Sequence, residues 1–268
     1  MKMFCLTIFD DHFDKIKKLG YMPVGLGENI KSDKFINDKT KINISKKNPF
    51  YGEYTFHYWL WKNDILSPKE EWIGFCQYRK HWSSLNENKN IKTLEQLSQD
   101  ILKEIPKSLR EYESILVEPF YVNQFRFSKF IKKNFITMIK EPSLFFNKEK
   151  RNIKFHFDMM HGKGNLDKAI DLLDKKDKKD FLNYVNSNVF FYPHNMFICK
   201  SSDTLKQYYN SIFPWLERCE KVFGFSLEGY GLKRIYGFLA ERFMSYWFSK
   251  YTNFTTLPII FKDLNEVD

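Results

Sequence analysis

Arg79 and Lys80 stand side by side at the end of an apolar run, Trp72-Ile73-Gly74-Phe75-Cys76-Gln77-Tyr78-Arg79-Lys80-His81. A guanidinium and an ammonium in adjacent positions can neutralise phosphate oxygens, the first through a planar fork of donors and the second as a point charge. A solvated strand end would carry cations as well, so the pair is informative only if the fold delivers it to a cleft. Two further placements stand out. Glu53 and His57 fall one helical turn apart, and Glu241 and Arg242 are neighbours on a helix with a clear apolar stripe, where the plain reading is an ion pair.

The elements that must position these groups follow from periodicity. Residues 2–9, 72–76 and 114–117 are short and apolar and read as buried strands. Asn48-Pro49 opens a helix to about Asn63, with Asn as cap and Pro at the first position, and Tyr51, Tyr54, Tyr58 and Trp61 form one stripe. Residues 125–139 carry apolar side chains at helical spacing, and Asn165 caps another helix through Leu166, Ile170 and Leu173 towards Phe181 and Tyr184. A basic loop holding His156 and His161 separates the two. Residues 189–199 resume strand character, Ser202 or Asp203 caps a helix to Phe223 that Pro214 should kink, and a last helix runs from Leu232 to Tyr251. This alternation predicts an α/β fold, a mixed or mostly parallel sheet flanked by helices with a helical C-terminal portion. Ligands bind beyond the carboxyl ends of the strands of such sheets, where Gln77 to His81 are expected to project.

A chain of 268 residues, 43% of them hydrophobic, can bury a large core. No apolar stretch approaches the roughly 20 residues of a membrane-spanning helix. The start runs into Asp10 and Asp11 without a signal-cleavage pattern, so the expectation is a cytoplasmic protein, soluble or peripheral to the inner membrane. Cys5, Cys76, Cys199 and Cys219 are isolated and lack metal-ligand spacing, which predicts reduced core thiols. The net charge of +10 suits nucleic acid, an anionic membrane or phosphate-bearing substrates. Nucleic acid is the weakest of these, because the lysines are spread over many elements and no recognition module is present.

Several stretches together resemble one family. They are Met22-Pro23-Val24-Gly25-Leu26-Gly27-Glu28-Asn29, then Asp38, then Asn43-Ile44-Ser45-Lys46-Lys47-Asn48-Pro49-Phe50-Tyr51-Gly52-Glu53-Tyr54-Thr55, then the stretch ending in Gln77-Tyr78-Arg79-Lys80, Pro193-His194-Asn195-Met196-Phe197-Ile198 and Gly237-Phe238-Leu239-Ala240-Glu241-Arg242. In that order they resemble the bacterial capsular-polysaccharide proteins catalogued as domain of unknown function 4422, which are regarded as glycosyltransferases. The resemblance implies a fold akin to the GT-A nucleotide-diphospho-sugar transferases. It implies transfer of a sugar, from a donor most commonly linked to uridine diphosphate and plausibly a furanose, to a glycan or lipid-linked glycan. On this reading residues 1–122 hold the donor, 123–188 form a mostly helical insertion, and 189–268 supply the acceptor side.

The resemblance also distributes roles. Val24, Gly25, Gly27, Asn29, Asp38, Asn43, Ser45, Tyr51, Gln77, Tyr78, Arg79, Lys80 and Arg242 would contact the donor, and His161, His194 and Asn195 the acceptor. Glu241 or Glu53 would take the proton from the acceptor hydroxyl, as inverting transfer requires, with Arg79 supporting the leaving diphosphate. Tyr78, Trp82 and Trp59 could stack on sugar or base. Most GT-A enzymes hold a metal on Asp-x-Asp after the middle strand; this chain has no Asp-x-Asp, so fixed cations are expected to replace the metal. It departs from the family in having Gln77-Tyr78-Arg79-Lys80 in place of His-Tyr-Arg-Arg, and Asp10-Asp11-His12 in place of a His-Lys pair. The latter cluster leaves a metal site open. A non-catalytic polysaccharide-assembly protein is the alternative function.

Overall fold

The computed structural model describes residues 1–66, 72–84, 91–124 and 147–268. Among them the strands are β1 (Lys2–Thr7), β2 (Met22–Gly25), β3 (Ile36–Asn37), β4 (Ile73–Gln77), β5 (Lys80–Trp82), β6 (Ser114–Val117), β7 (Phe120–Tyr121), β8 (Phe190–Phe191), β9 (Phe197–Cys199), β10 (Phe254–Leu257) and β11 (Ile259–Phe261). The main sheet has the order β3-β2-β1-β4-β9-β6-β10. It is parallel along most of its paired length, and β9 alone of these seven runs antiparallel to both its neighbours. Register places Leu6 opposite Gln77 and Thr7 opposite Gly25, so β1, β2 and β4 finish together at one end of the sheet.

Side chains alternate between two cores, one on each face of the sheet. Phe4, Leu6, Phe75, Leu116 and Phe197 pack with the helices Tyr54–Asn63, Ile153–His161, Lys175–Ser187, Ser202–Phe223 and Ile235–Tyr251. Met3, Cys5, Cys76, Ile115, Val117 and Ile198 pack on the other face with the helices His12–Lys18 and Leu94–Asp100. Burial on both faces explains why β1, β4 and β6 read as unbroken apolar runs rather than as alternating ones.

Several expectations change. The Asn48 helix breaks at Gly52, whose φ of 58° and ψ of −132° suit glycine alone, into Asn48–Tyr51 and Tyr54–Asn63. The cationic run after β4 does not stream out of the sheet. Gln77 pairs with Lys80 across a tight turn at Tyr78-Arg79, so His81 and Trp82 return to the core, and Lys262 and Leu264 donate backbone N–H groups to the Arg79 and Tyr78 carbonyls. Residues 189–199 form two short strands around a turn, and the last helix is interrupted at Arg234. His156 and His161 lie on the helix Ile153–His161 rather than in a loop. The helix expected over 125–139 lies outside the described residues.

Candidate active site

Two adjoining cavities open at the carboxyl end of β1 and β4. The first, about 160 Å³, is lined by Leu6 to Ile8, Leu26, Asn48, Pro49, Gly52 and Tyr78; the second, about 210 Å³, by Lys80, His194, Asn195, Tyr230, Phe238 and Glu241. Each is below the ~300 Å³ of an ordinary small-molecule site. Glu53, Gln77, Arg79 and Arg234 line both and join them into one cleft. Arg79 is exposed, lies over the Tyr78 ring and has no carboxylate partner among the described residues. Lys80 is half-buried, donating to Gln77 Oε1 at 3.1 Å; burial lowers its pKa, against Glu53 and Glu241, which hold it up. The cleft therefore keeps two cations available to an anion.

Arg234 is a residue that the sequence reading missed. Its guanidinium stands 3.7 Å from Glu53 Oε2 and packs over Gly52, where a methyl group would overlap it. Gly52 thus serves both the left-handed turn and the seat of Arg234. Gly52→Ala is expected to lose about 1–3 kcal/mol from backbone strain, or about 2–4 °C of melting temperature per kcal/mol, measured by thermal unfolding. An unchanged melting temperature would show that the turn relaxes freely.

Glu241 is held on both oxygens. His194 N–H donates to Oε1 at 2.6 Å, and Arg242 pairs with Oε2. Arg242 is fully buried, stacked 3.8 Å from the Phe191 ring centre and donating to His156 Nδ1, so it lies behind Glu241 instead of facing a donor. His194 and Asn195 occupy consecutive left-handed conformations, φ 77° and 53°. The turn is braced by Gln77 Nε2 donating to the His194 carbonyl at 2.8 Å and Asn195 Nδ2 donating to the Gly237 carbonyl at 3.2 Å. Burial and the nearby Lys80 ammonium push His194 down to about 3. It is a neutral imidazole at physiological pH.

A cleft beyond the carboxyl ends of a mixed sheet, cationic on one wall and carboxylate-bearing on the other, is the setting in which known proteins become informative. A family model described as domain of unknown function (DUF4422) matches residues 5–253. The chain belongs to this family. It is similar to the apo structure of the WbbM bifunctional glycosyltransferase, at 19% sequence identity and a TM-score of 0.71, over 98% of this chain and 45% of that one. The DUF4422 chain therefore shares its fold with part of the WbbM protein and spans less than half that protein's length. No curated protein matches it.

The remaining residues singled out by the DUF4422 resemblance build walls rather than line these two cavities. Val24 and Gly25 end β2, and Gly27 donates its N–H to the buried Asp38 carboxylate at 2.8 Å. Burial raises Asp38 above the usual carboxylate range. Asn43 laces its own loop, Ser45 donates to Glu28 Oε1, and Asn29 is exposed. Tyr51 points into the core, donating to Glu220 and stacked on Tyr236. His161, lowered to about 3 mainly by burial, donates to the Gly231 carbonyl and stacks on Phe238, so it supports the cleft wall from behind. Trp82 and Trp59 are core residues satisfied by the Phe75 and Thr40 carbonyls. Tyr78 does reach the cleft. Phe238, which sits in a matching motif but was assigned no role, and Tyr230, 70% exposed and outside the motifs, are rim aromatics; the glycines on either side of Tyr230 were the available signal.

Asp10, Asp11 and His12 do not converge. Asp10 accepts from Lys31 and Ser32 N–H groups, whereas His12 is buried between Thr7 and Asn265. The cysteines are all buried, but two are not isolated: Cys5, Cys76 and His81 come within 4.8 Å of one another beneath the hairpin. Burial raises the Cys76 thiol well above its ordinary value and lowers His81 to about 4, so both are neutral at physiological pH.

Proposed function

We propose that the chain transfers a sugar from a nucleoside diphosphate sugar to a surface-glycan acceptor. The observation that carries this reading is the pair of cations, Arg79 and Lys80, without carboxylate partners among the described residues, at the carboxyl end of β1 and β4 in a glycosyltransferase-like fold. A diphosphate in that cleft meets one exposed guanidinium and one half-desolvated ammonium, and both interactions strengthen as the leaving group gains charge. Fixed cations do the work given elsewhere to a metal, so donor binding proceeds without one. The donor is linked to uridine diphosphate and the acceptor is a capsular or lipid-linked glycan at the inner membrane surface, where the net charge of +10 favours anionic lipid. Transfer inverts the anomeric centre, with a carboxylate of the cleft as base.

A thermal-shift panel of nucleotide sugars tests this. A donor present at ~100-fold its Kd stabilises the fold by about 2.7 kcal/mol, a rise of about 5–10 °C. The rise should be the same with and without a chelator. A shift abolished by EDTA and restored by manganese would replace the fixed-cation reading with a metal site. Absence of any shift across the panel would remove the donor.

A further inference from the structure

The turn that carries Asn195 is more elaborate than a connection between two strands requires. Two successive non-glycine residues with positive φ are costly, and such strain persists only where the surroundings enforce it. Here three contacts from two elements enforce it: Gln77 at the end of β4 holds the His194 carbonyl, Glu241 of the last helix holds the His194 N–H, and the Gly237 carbonyl of the same helix receives the Asn195 amide. What this bracing achieves is visible at one atom. Asn195 is only 8% exposed, lines the second cavity, and its Oδ1 is buried without a hydrogen-bond partner.

The amide cannot escape by rotating. Exchanging its oxygen and nitrogen would set Oδ1 against the Gly237 carbonyl, two acceptors facing one another, so the Nδ2 contact fixes which atom is left without a partner. A buried acceptor left unsatisfied costs about 1–3 kcal/mol. It is relieved by a donor, and a fully ionised phosphate has none to offer. The cleft is thus divided chemically: Arg79 and Lys80 suit an anion, whereas Asn195 Oδ1 suits a hydroxyl. Both chemistries line the same cavity, as the diphosphate and the sugar attached to it would require.

We propose that Asn195 selects the transferred sugar by accepting a hydrogen bond from one of its hydroxyl groups, and that Glu241 acts as a positioning residue that holds the turn. This rests on the donor reading above and moves Asn195 from the acceptor side of the cleft to the donor sugar. The test is calorimetric titration of uridine diphosphate and of three of its sugar conjugates, galactopyranose, galactofuranose and N-acetylglucosamine, into the wild type and Asn195→Gly. Glycine keeps the left-handed turn while removing the amide, and thermal unfolding verifies the fold. The expected result is unchanged affinity of the variant for uridine diphosphate, with the wild type's preferred conjugate bound about 10- to 100-fold more weakly. The inference is overturned if Asn195→Gly discriminates conjugates from uridine diphosphate as the wild type does, or if no conjugate binds the wild type more tightly than uridine diphosphate alone. Failure of uridine diphosphate itself to bind the wild type is a different result, which takes down the donor reading and this inference with it.

Discussion

Arg79→Ala is expected to fold normally, to bind donor somewhat more weakly and to lose about 10²- to 10³-fold in kcat. The side chain is exposed and makes no ion pair among the described residues, so its removal costs the fold little. The turn that carries it is held through backbone, by Lys262 and Leu264 donating to the Arg79 and Tyr78 carbonyls, and needs no guanidinium. On the proposed function, what disappears is a charge facing a leaving diphosphate whose own charge grows as the glycosidic bond breaks, an interaction stronger in the transition state than in the ground state. Arg79→Lys keeps the charge and loses the fork, so it should fall between. Single-turnover rates with circular dichroism as the fold control measure this. A well-folded alanine variant with near-wild-type kcat would reduce Arg79 to a solvated turn residue, and would favour a non-catalytic assembly role.

Much of the frame was legible because its physics is local. Continuous apolar runs gave β1, β4 and β6, and the Asn48-Pro49 start marked the helix that reaches Glu53. The hairpin was hidden because Tyr78-Arg79 contains neither glycine nor asparagine, the residues that usually announce a two-residue turn. It is set instead by the C-terminal segment, which donates two backbone hydrogen bonds to it and adds β11 beside β5. Sequence proximity misled for Tyr51 and Arg242, which sit in matching motifs but face inwards; a motif gives a position on a helix, not the direction of the cleft. Arg234 could not be found from its neighbours, since its place depends on Gly52, far away in the chain. The same holds for Asn195. A strand was expected there, and only the tertiary bracing by Gln77 and Glu241 converts it to a left-handed turn.

The two candidate bases sit in different surroundings, and this sets the second large effect. A general base must offer a lone pair to the acceptor hydroxyl and accept its proton. The histidines of the cleft wall are poor candidates, because His194 and His161 are each pushed down to about 3 by burial, too weak to hold a proton at neutral pH. Glu241 is committed on both oxygens, to the His194 N–H and to Arg242, and its side chain is 12% exposed. Among the described residues Glu53 has one long ion pair, to Arg234 at 3.7 Å; it is 21% exposed and lines both halves of the cleft. Glu53→Gln is therefore expected to lower kcat by about 10²- to 10⁴-fold while leaving uridine diphosphate affinity within a few-fold. Glu241→Gln, whose amide oxygen can still accept from His194, should lose less turnover than Glu53→Gln. The two variants are compared by single-turnover kinetics and calorimetry with uridine diphosphate. If Glu53→Gln turns over normally and Glu241→Gln is inactive although folded, the base is Glu241, and the His194 contact must open during the reaction to free its oxygen.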